Sequence, residues 1–116
     1  ICERSLFTDR YVFAKMLYDS GKIETVNYKI YTLWFDEFIE KFSVDNIIYV
    51  TTYPEKCLDR IKQRARKGEN ISLEYLIKCD NYHKNWILNN ASINVLEIPY
   101  NFDENIIQEI NIFVLN

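Results

Sequence analysis

A chain of 116 residues with 48% hydrophobic and 16% aromatic content can bury the core of one small domain and is too apolar to be a disordered segment. Its net charge of −3 and pI near 5.2 argue against general binding to nucleic acid or an anionic membrane. Three cysteines (Cys2, Cys57 and Cys79) without C-x-x-C spacing, beside a single histidine, His83, argue against a zinc site and point to free thiols in a reducing compartment. With no recognisable signal peptide, spanning apolar run or lipidation motif, a soluble intracellular protein is expected.

The chain begins as a strand stub, Ile1-Cys2, with Glu3-Arg4-Ser5 at its carboxyl end, where open α/β sheets place ligands. Thr8 can cap a first helix running to about Asp19, its inner face carrying Val12, Phe13, Met16 and Leu17, with Gly21 as the left-handed stop. A second helix is expected from about Glu24 to Phe42. Lys29, Thr32, Asp36 and Glu40 form one polar stripe on it, and the remaining circumference is apolar. Such a helix is buried on more than one side: either as a central core helix, or between the sheet and a partner element or subunit.

Ile47 to Thr51 is a continuous apolar run, as in a buried parallel strand, and Pro54 sets the first turn of the next helix. That helix is expected to reach Lys67-Gly68. Between Arg60 and Lys67 it packs five cations into eight residues: Arg60, Lys62, Arg64, Arg66 and Lys67. Arg60 and Arg64 fall one turn apart, where like charges repel by a few tenths of a kcal/mol. A structural helix gains nothing from this. An anion that offsets the repulsion is one explanation, and planar guanidinium forks suit phosphate oxygens. A solvated basic face or a short nucleic-acid patch is the other.

Ser72 opens a further helix with Leu73, Leu76, Ile77, Asp80, His83 and Trp86 at helical spacing, ended by Asn89-Asn90. Ile93 to Ile98 reads as a strand, 99–102 as a loop, and a last short helix begins near Asp103. Strands alternating with helices specify an α/β fold with a parallel sheet and covered faces. Two strands and a stub are few for this much aromatic surface. The two glycines, Gly21 and Gly68, also cannot build a G-x-x-x-x-G-K-[ST] loop. The chain is therefore expected to be the carboxyl-terminal part of one domain, lacking its amino-terminal half.

Three motifs in order resemble the deoxynucleoside kinase family. They are Glu-Arg-Ser with Asp9-Arg10-Tyr11 downstream; the strand from Ile47 leading into Arg-Ile-Lys-Gln-Arg-Ala-Arg at 60–66; and Glu69 followed by Leu73, Tyr75, Leu76 and Tyr82-His83-x-x-Trp86. The resemblance implies a P-loop-kinase-like parallel sheet with flanking helices, and transfer of the γ-phosphate of ATP to a deoxyribonucleoside 5′-hydroxyl. It implies a lid at about 60–70 whose Arg60, Arg64 and Arg66 meet the donor phosphates. Glu69 would accept from the sugar 3′-hydroxyl, and Arg4 would contact the 5′ oxygen and hold a catalytic glutamate lying upstream. Glu3 would act on Mg2+ through water, unless it simply pairs with Arg4. Asp9 would pair with an arginine over the base edge, unless it only answers the helix dipole. Asn101, Phe102 and Asp103 would hold the donor base.

The family and the two-sided apolar second helix imply a homodimer, and the acidic charge implies no nucleic-acid or membrane partner. The Asn-, Ile-, Tyr- and Lys-rich composition points to viral members, in host cytoplasm, with a mitochondrial address left open. A thymidylate-type nucleoside monophosphate kinase and a non-catalytic interaction module are the alternative readings.

Overall fold

The computed structural model describes residues 2–42, 44–89 and 92–115. The chain forms two compact units, one of residues 1–44 with 78–90 and one of residues 45–77 with 91–116.

In the first unit a single helical run holds three segments: α1 (Leu6–Thr8), a π-helical stretch (Asp9–Ala14) and α2 (Lys15–Asp19). Ser5, in extended conformation, occupies the N-cap position and Thr8 is buried inside the run, so the expected Thr8 cap is corrected. Cys2 is not in a strand, and Glu3 and Arg4 lie in a bend, while Ile1 falls outside the described residues. The expected stub is therefore not seen at Cys2. The run ends as Gly21 predicts: with Gly21 at φ 70°, its N–H donates to the Tyr18 carbonyl and the Lys22 N–H to the Leu17 carbonyl, both at 2.9 Å. These are the paired bonds of a Schellman stop, which needs a left-handed residue that glycine adopts without strain.

α3 (Thr25–Ile39) follows, shorter at its far end than expected, with Glu24 as its cap position. It packs on the helical run through Phe35, 7% exposed, whose ring meets Phe7 edge-on at 5.6 Å. Arg10 lies over Phe35 at 4.4 Å and ion-pairs with Asp36. Beyond Phe35 the apolar surface is open: Leu33 is 69% and Trp34 63% exposed among the described residues. Burial on more than one side, expected from its circumference, is thus not met within this unit.

α5 (Leu73–Leu88) is capped by Ser72, whose Oγ accepts from the Tyr75 N–H at 3.2 Å. Its later turns belong to the first unit. There Trp86 stacks on Tyr11 at 6.2 Å, and Tyr82 donates to Asp19 at 2.6 Å. Asp19 also takes two contacts from Lys15, at 2.5 and 2.7 Å. The Lys15 ammonium, with help from Tyr82, holds this carboxyl below the ordinary aspartate range. Val12, wholly buried, and Met16 complete this core.

In the second unit β1 (Asn46–Thr51) and β2 (Asn94–Pro99) pair in parallel, from Asn46 against Asn94 to Thr51 against Pro99. Pro99 is thus the last residue of a strand and not the start of the loop. Ile98 is 1% exposed and anchors the pair, although its register partner Val50 is 51% exposed; on β1, Ile47, Tyr49 and Thr51 are half-buried while Ile48 and Val50 are exposed. Within this unit β1 is covered on one face only, a correction to the doubly buried strand. α4 (Pro54–Arg64) starts with Pro54 in its first turn, as expected, and stops at Ala65 in the left-handed region (φ 47°). It therefore ends three residues short of the Lys67-Gly68 boundary, and Arg66 lies outside it. α6 (Ile106–Leu115) closes the chain. Among the described residues no helix is long and apolar enough to cross a membrane.

Candidate functional site

Parallel pairing sends both strands out of the same sheet edge. β1 continues through Thr52 and Tyr53 into α4, and β2 continues into Tyr100 and the loop before α6. The two tyrosine rings meet edge-on with centroids 6.5 Å apart. From the second turn of α4, Arg60 places its guanidinium over the Tyr100 ring at 5.3 Å. A cation over an exposed ring is stabilised by about 0.5–1 kcal/mol, which holds Arg60 at the carboxyl edge of the strands. The sequence places Arg60 in the lid, Tyr53 before α4 and Tyr100 in the loop after the last strand, but points to no contact between the two rings or between Tyr100 and Arg60. The signal of the two tyrosines is positional, one aromatic residue just beyond each strand.

One turn further along α4, Arg64 ion-pairs with Glu69 through Nη2 and Oε1. The two are five residues apart, and the intervening backbone brings them together. Ala65 breaks the helix in the left-handed region, and the Glu69 N–H then donates to the Arg66 carbonyl at 3.2 Å. Gly68 sits third in that turn with φ 82°, the position at which a type II turn demands positive φ. The Glu69 side chain is 19% exposed, and its Oε2 is buried without a hydrogen-bond partner. Arg66 is exposed on the turn.

The remaining expected donor-side residues lie on the loop after β2. Asn101 and Phe102 are exposed. Asp103 takes the Asn105 N–H on Oδ1 at 3.0 Å and the Asn105 side chain on Oδ2 at 3.3 Å, so its carboxylate orders the entry to α6.

Glu3, Arg4 and Asp9 lie in the first unit. Arg4 is the one expected site residue with a strained backbone, at φ 63°, and its guanidinium lies over the Phe13 ring at 5.5 Å. A non-glycine residue in that region costs of order 1–3 kcal/mol and is held there by its surroundings. Glu3 is exposed. Asp9 opens the π-helical stretch, a distortion frequent at functional sites, and accepts a hydrogen bond from the Tyr31 hydroxyl at 2.9 Å. Its observed partner is thus a phenol from α3, where an arginine was expected. Burial, reinforced by the bond to Asp9 and its charge, pushes Tyr31 ionisation well above the ordinary range. No sequence pattern links residues 9 and 31.

Residues 1–115 match a protein-family model described as deoxynucleoside kinase. The chain is 34% identical to a mitochondrial deoxyguanosine kinase of Xenopus laevis over 90% of its own length and 46% of that protein's. It is 39% identical to the deoxycytidine kinase of Bos taurus over 98% of its length and 43% of the relative's. It is 41% identical to the mitochondrial thymidine kinase 2 of Homo sapiens, over 76% and 34%. The chain thus spans less than half the length of these relatives. A solved deoxyadenosine kinase from M. mycoides with bound dCTP superposes with a TM-score of 0.70 at 26% identity, covering 97% of this chain and 61% of that one. The expected P-loop-kinase-like architecture, helices flanking a parallel sheet, agrees with this likeness.

The geometry at Asp9 makes a spectroscopic prediction. In an absorbance titration of the phenolate band, Tyr31→Phe should remove a late-ionising tyrosine. Asp9→Asn should bring that step to lower pH without restoring the ordinary value, because burial remains the larger cause. An unchanged high-pH titration in both variants would show that the Asp9–Tyr31 contact does not form.

Proposed function

The chain belongs to the deoxynucleoside kinase family, and from that premise we propose that it supplies one side of an active site moving the γ-phosphoryl group of ATP onto the 5′-hydroxyl of a deoxyribonucleoside. The observation that carries this reading is the pair of anchored guanidinium groups in the second unit, Arg60 on Tyr100 at the carboxyl edge of the strands and Arg64 on Glu69 at the end of α4. Phosphoryl transfer is mostly positioning and charge stabilisation, so cations held in place before the reaction lower its barrier.

In this mechanism the bond from the γ-phosphorus to the β–γ bridging oxygen breaks, and a bond to the nucleoside 5′ oxygen forms. Arg60, Arg64 and Arg66 take up charge on the donor phosphates. Arg4 contacts the 5′ oxygen and orients a glutamate outside these residues, which accepts the hydroxyl proton. Glu69 accepts from the sugar 3′-hydroxyl, and Asp9, steadied by Tyr31, faces the base edge. Asn101, Phe102 and Asp103 border the donor base. Mg2+ would supply charge neutralisation at the donor phosphates, with Glu3 as the carboxylate that would hold it. Such ions keep several waters and take only one or two carboxylates, so the exposed Glu3 fits a contact made through water.

We further propose a homodimer in which a second copy covers the open face of α3, where Trp34 and Phe38 stack at 5.3 Å. The same reading places the protein in the cytoplasm or, as for the relatives so named, the mitochondrion.

In the whole protein, Arg64→Ala and Arg66→Ala should each lower kcat by about 10²–10³. The melting temperature should move by only a few degrees, since an exposed ion pair is worth roughly 0.2–1 kcal/mol. Unaltered turnover in both would remove these arginines from the transfer step, and a whole protein with no turnover at all would favour a non-catalytic interaction module. Sedimentation of the whole protein at micromolar concentration should show a dimer, and a monomer would remove the proposed role of α3.

A further inference from the structure

The Glu69 carboxylate is divided between two uses. Oε1 holds Arg64, while Oε2 is buried and has no hydrogen-bond partner. A buried carboxylate oxygen without a donor is costly, and its persistence points to a donor that arrives from outside. The Arg64 charge already satisfies the carboxylate electrostatically, and a second cation at Oε2 would be repelled by that guanidinium. A neutral hydroxyl suits the remaining oxygen. On the other side, the Arg64 side chain is 45% exposed and commits one Nη2 contact, leaving the rest of a five-donor fork for phosphate oxygens.

We infer that Glu69 is a positioning residue for Arg64: a sugar hydroxyl of the acceptor on Oε2 fixes the carboxylate whose Oε1 holds the guanidinium, so nucleoside binding strengthens binding of the donor phosphates. This inference rests on the kinase reading above. The connecting element is short and already shaped, by Ala65 in the left-handed region and the turn from Arg66 to Glu69. Ordering Glu69 with the first ligand removes part of the ordering cost of Arg64 for the second, which is positive coupling between two sites.

The test is calorimetric titration of β,γ-imido-ATP into the whole protein in three states: free, saturated with a deoxynucleoside it phosphorylates, and saturated with the 2′,3′-dideoxy counterpart. The deoxynucleoside should tighten analogue binding by about fivefold or more. The dideoxynucleoside should not, and Glu69→Gln should abolish the tightening. The dideoxy arm uses unaltered protein, so it decides the matter even if the variant misfolds. Absence of tightening in the unaltered protein, or tightening that survives either loss of the hydroxyl or Glu69→Gln, overturns the inference and leaves the kinase reading standing. An unaltered protein that phosphorylates no deoxynucleoside overturns both.

Discussion

Two parallel strands in register must release their chains at the same edge, and the candidate site depends on that constraint. The pairing from Asn46–Asn94 to Thr51–Pro99 delivers Tyr53 and the start of α4 beside Tyr100 and its loop. Neither segment has to be ordered from a distance. Ile98, the most buried residue of the pair, fixes the register, because a one-residue slip would turn it to the opposite face. Parallel sheets in α/β proteins bind ligands outside this edge for the same geometric reason.

The basic cluster then becomes intelligible in energetic terms. Repulsion between like charges one turn apart is a few tenths of a kcal/mol. The Arg60–Tyr100 contact is worth about 0.5–1 kcal/mol and the half-exposed Arg64–Glu69 pair roughly 0.2–1. The two contacts outweigh the repulsion by only about 1 kcal/mol, so the arrangement adds little to stability. What the contacts determine is direction: each of two guanidinium groups is tied to a particular neighbour. Arg66, beyond the helix on the turn, is tied to none of these and keeps its full charge exposed.

Much of the architecture was legible because a few residues have narrow physical roles. Gly21 marks a left-handed stop, Pro54 a first helical turn, Ser72 a cap, and the Ile47–Thr51 run a parallel strand; each appears where the sequence places it. The failures have equally specific causes. Thr8 and Ser5 are both cap-forming residue types, with Ser the somewhat better one, and the buried surroundings of Thr8 add to the choice of Ser5. Ala65 in a left-handed conformation goes against its intrinsic preference by about 1–2 kcal/mol, so Gly68 was the natural but wrong place to end α4. The π-helical stretch has no sequence signature, and the Asp9–Tyr31 and Arg60–Tyr100 contacts join residues with no spacing in common. The site residues were readable from three motifs in order; their partners were not.

The central claim is that the arginines of α4 and its turn serve transfer to a nucleoside hydroxyl. The most direct measurement follows γ-labelled ATP incubated with the whole protein and, in parallel, a panel of deoxynucleosides and their 5′-monophosphates. Label appearing on the 5′ oxygen of a deoxynucleoside is the predicted result. Label passing only to a monophosphate, as a thymidylate-type kinase would direct it, or to neither acceptor, would contradict it.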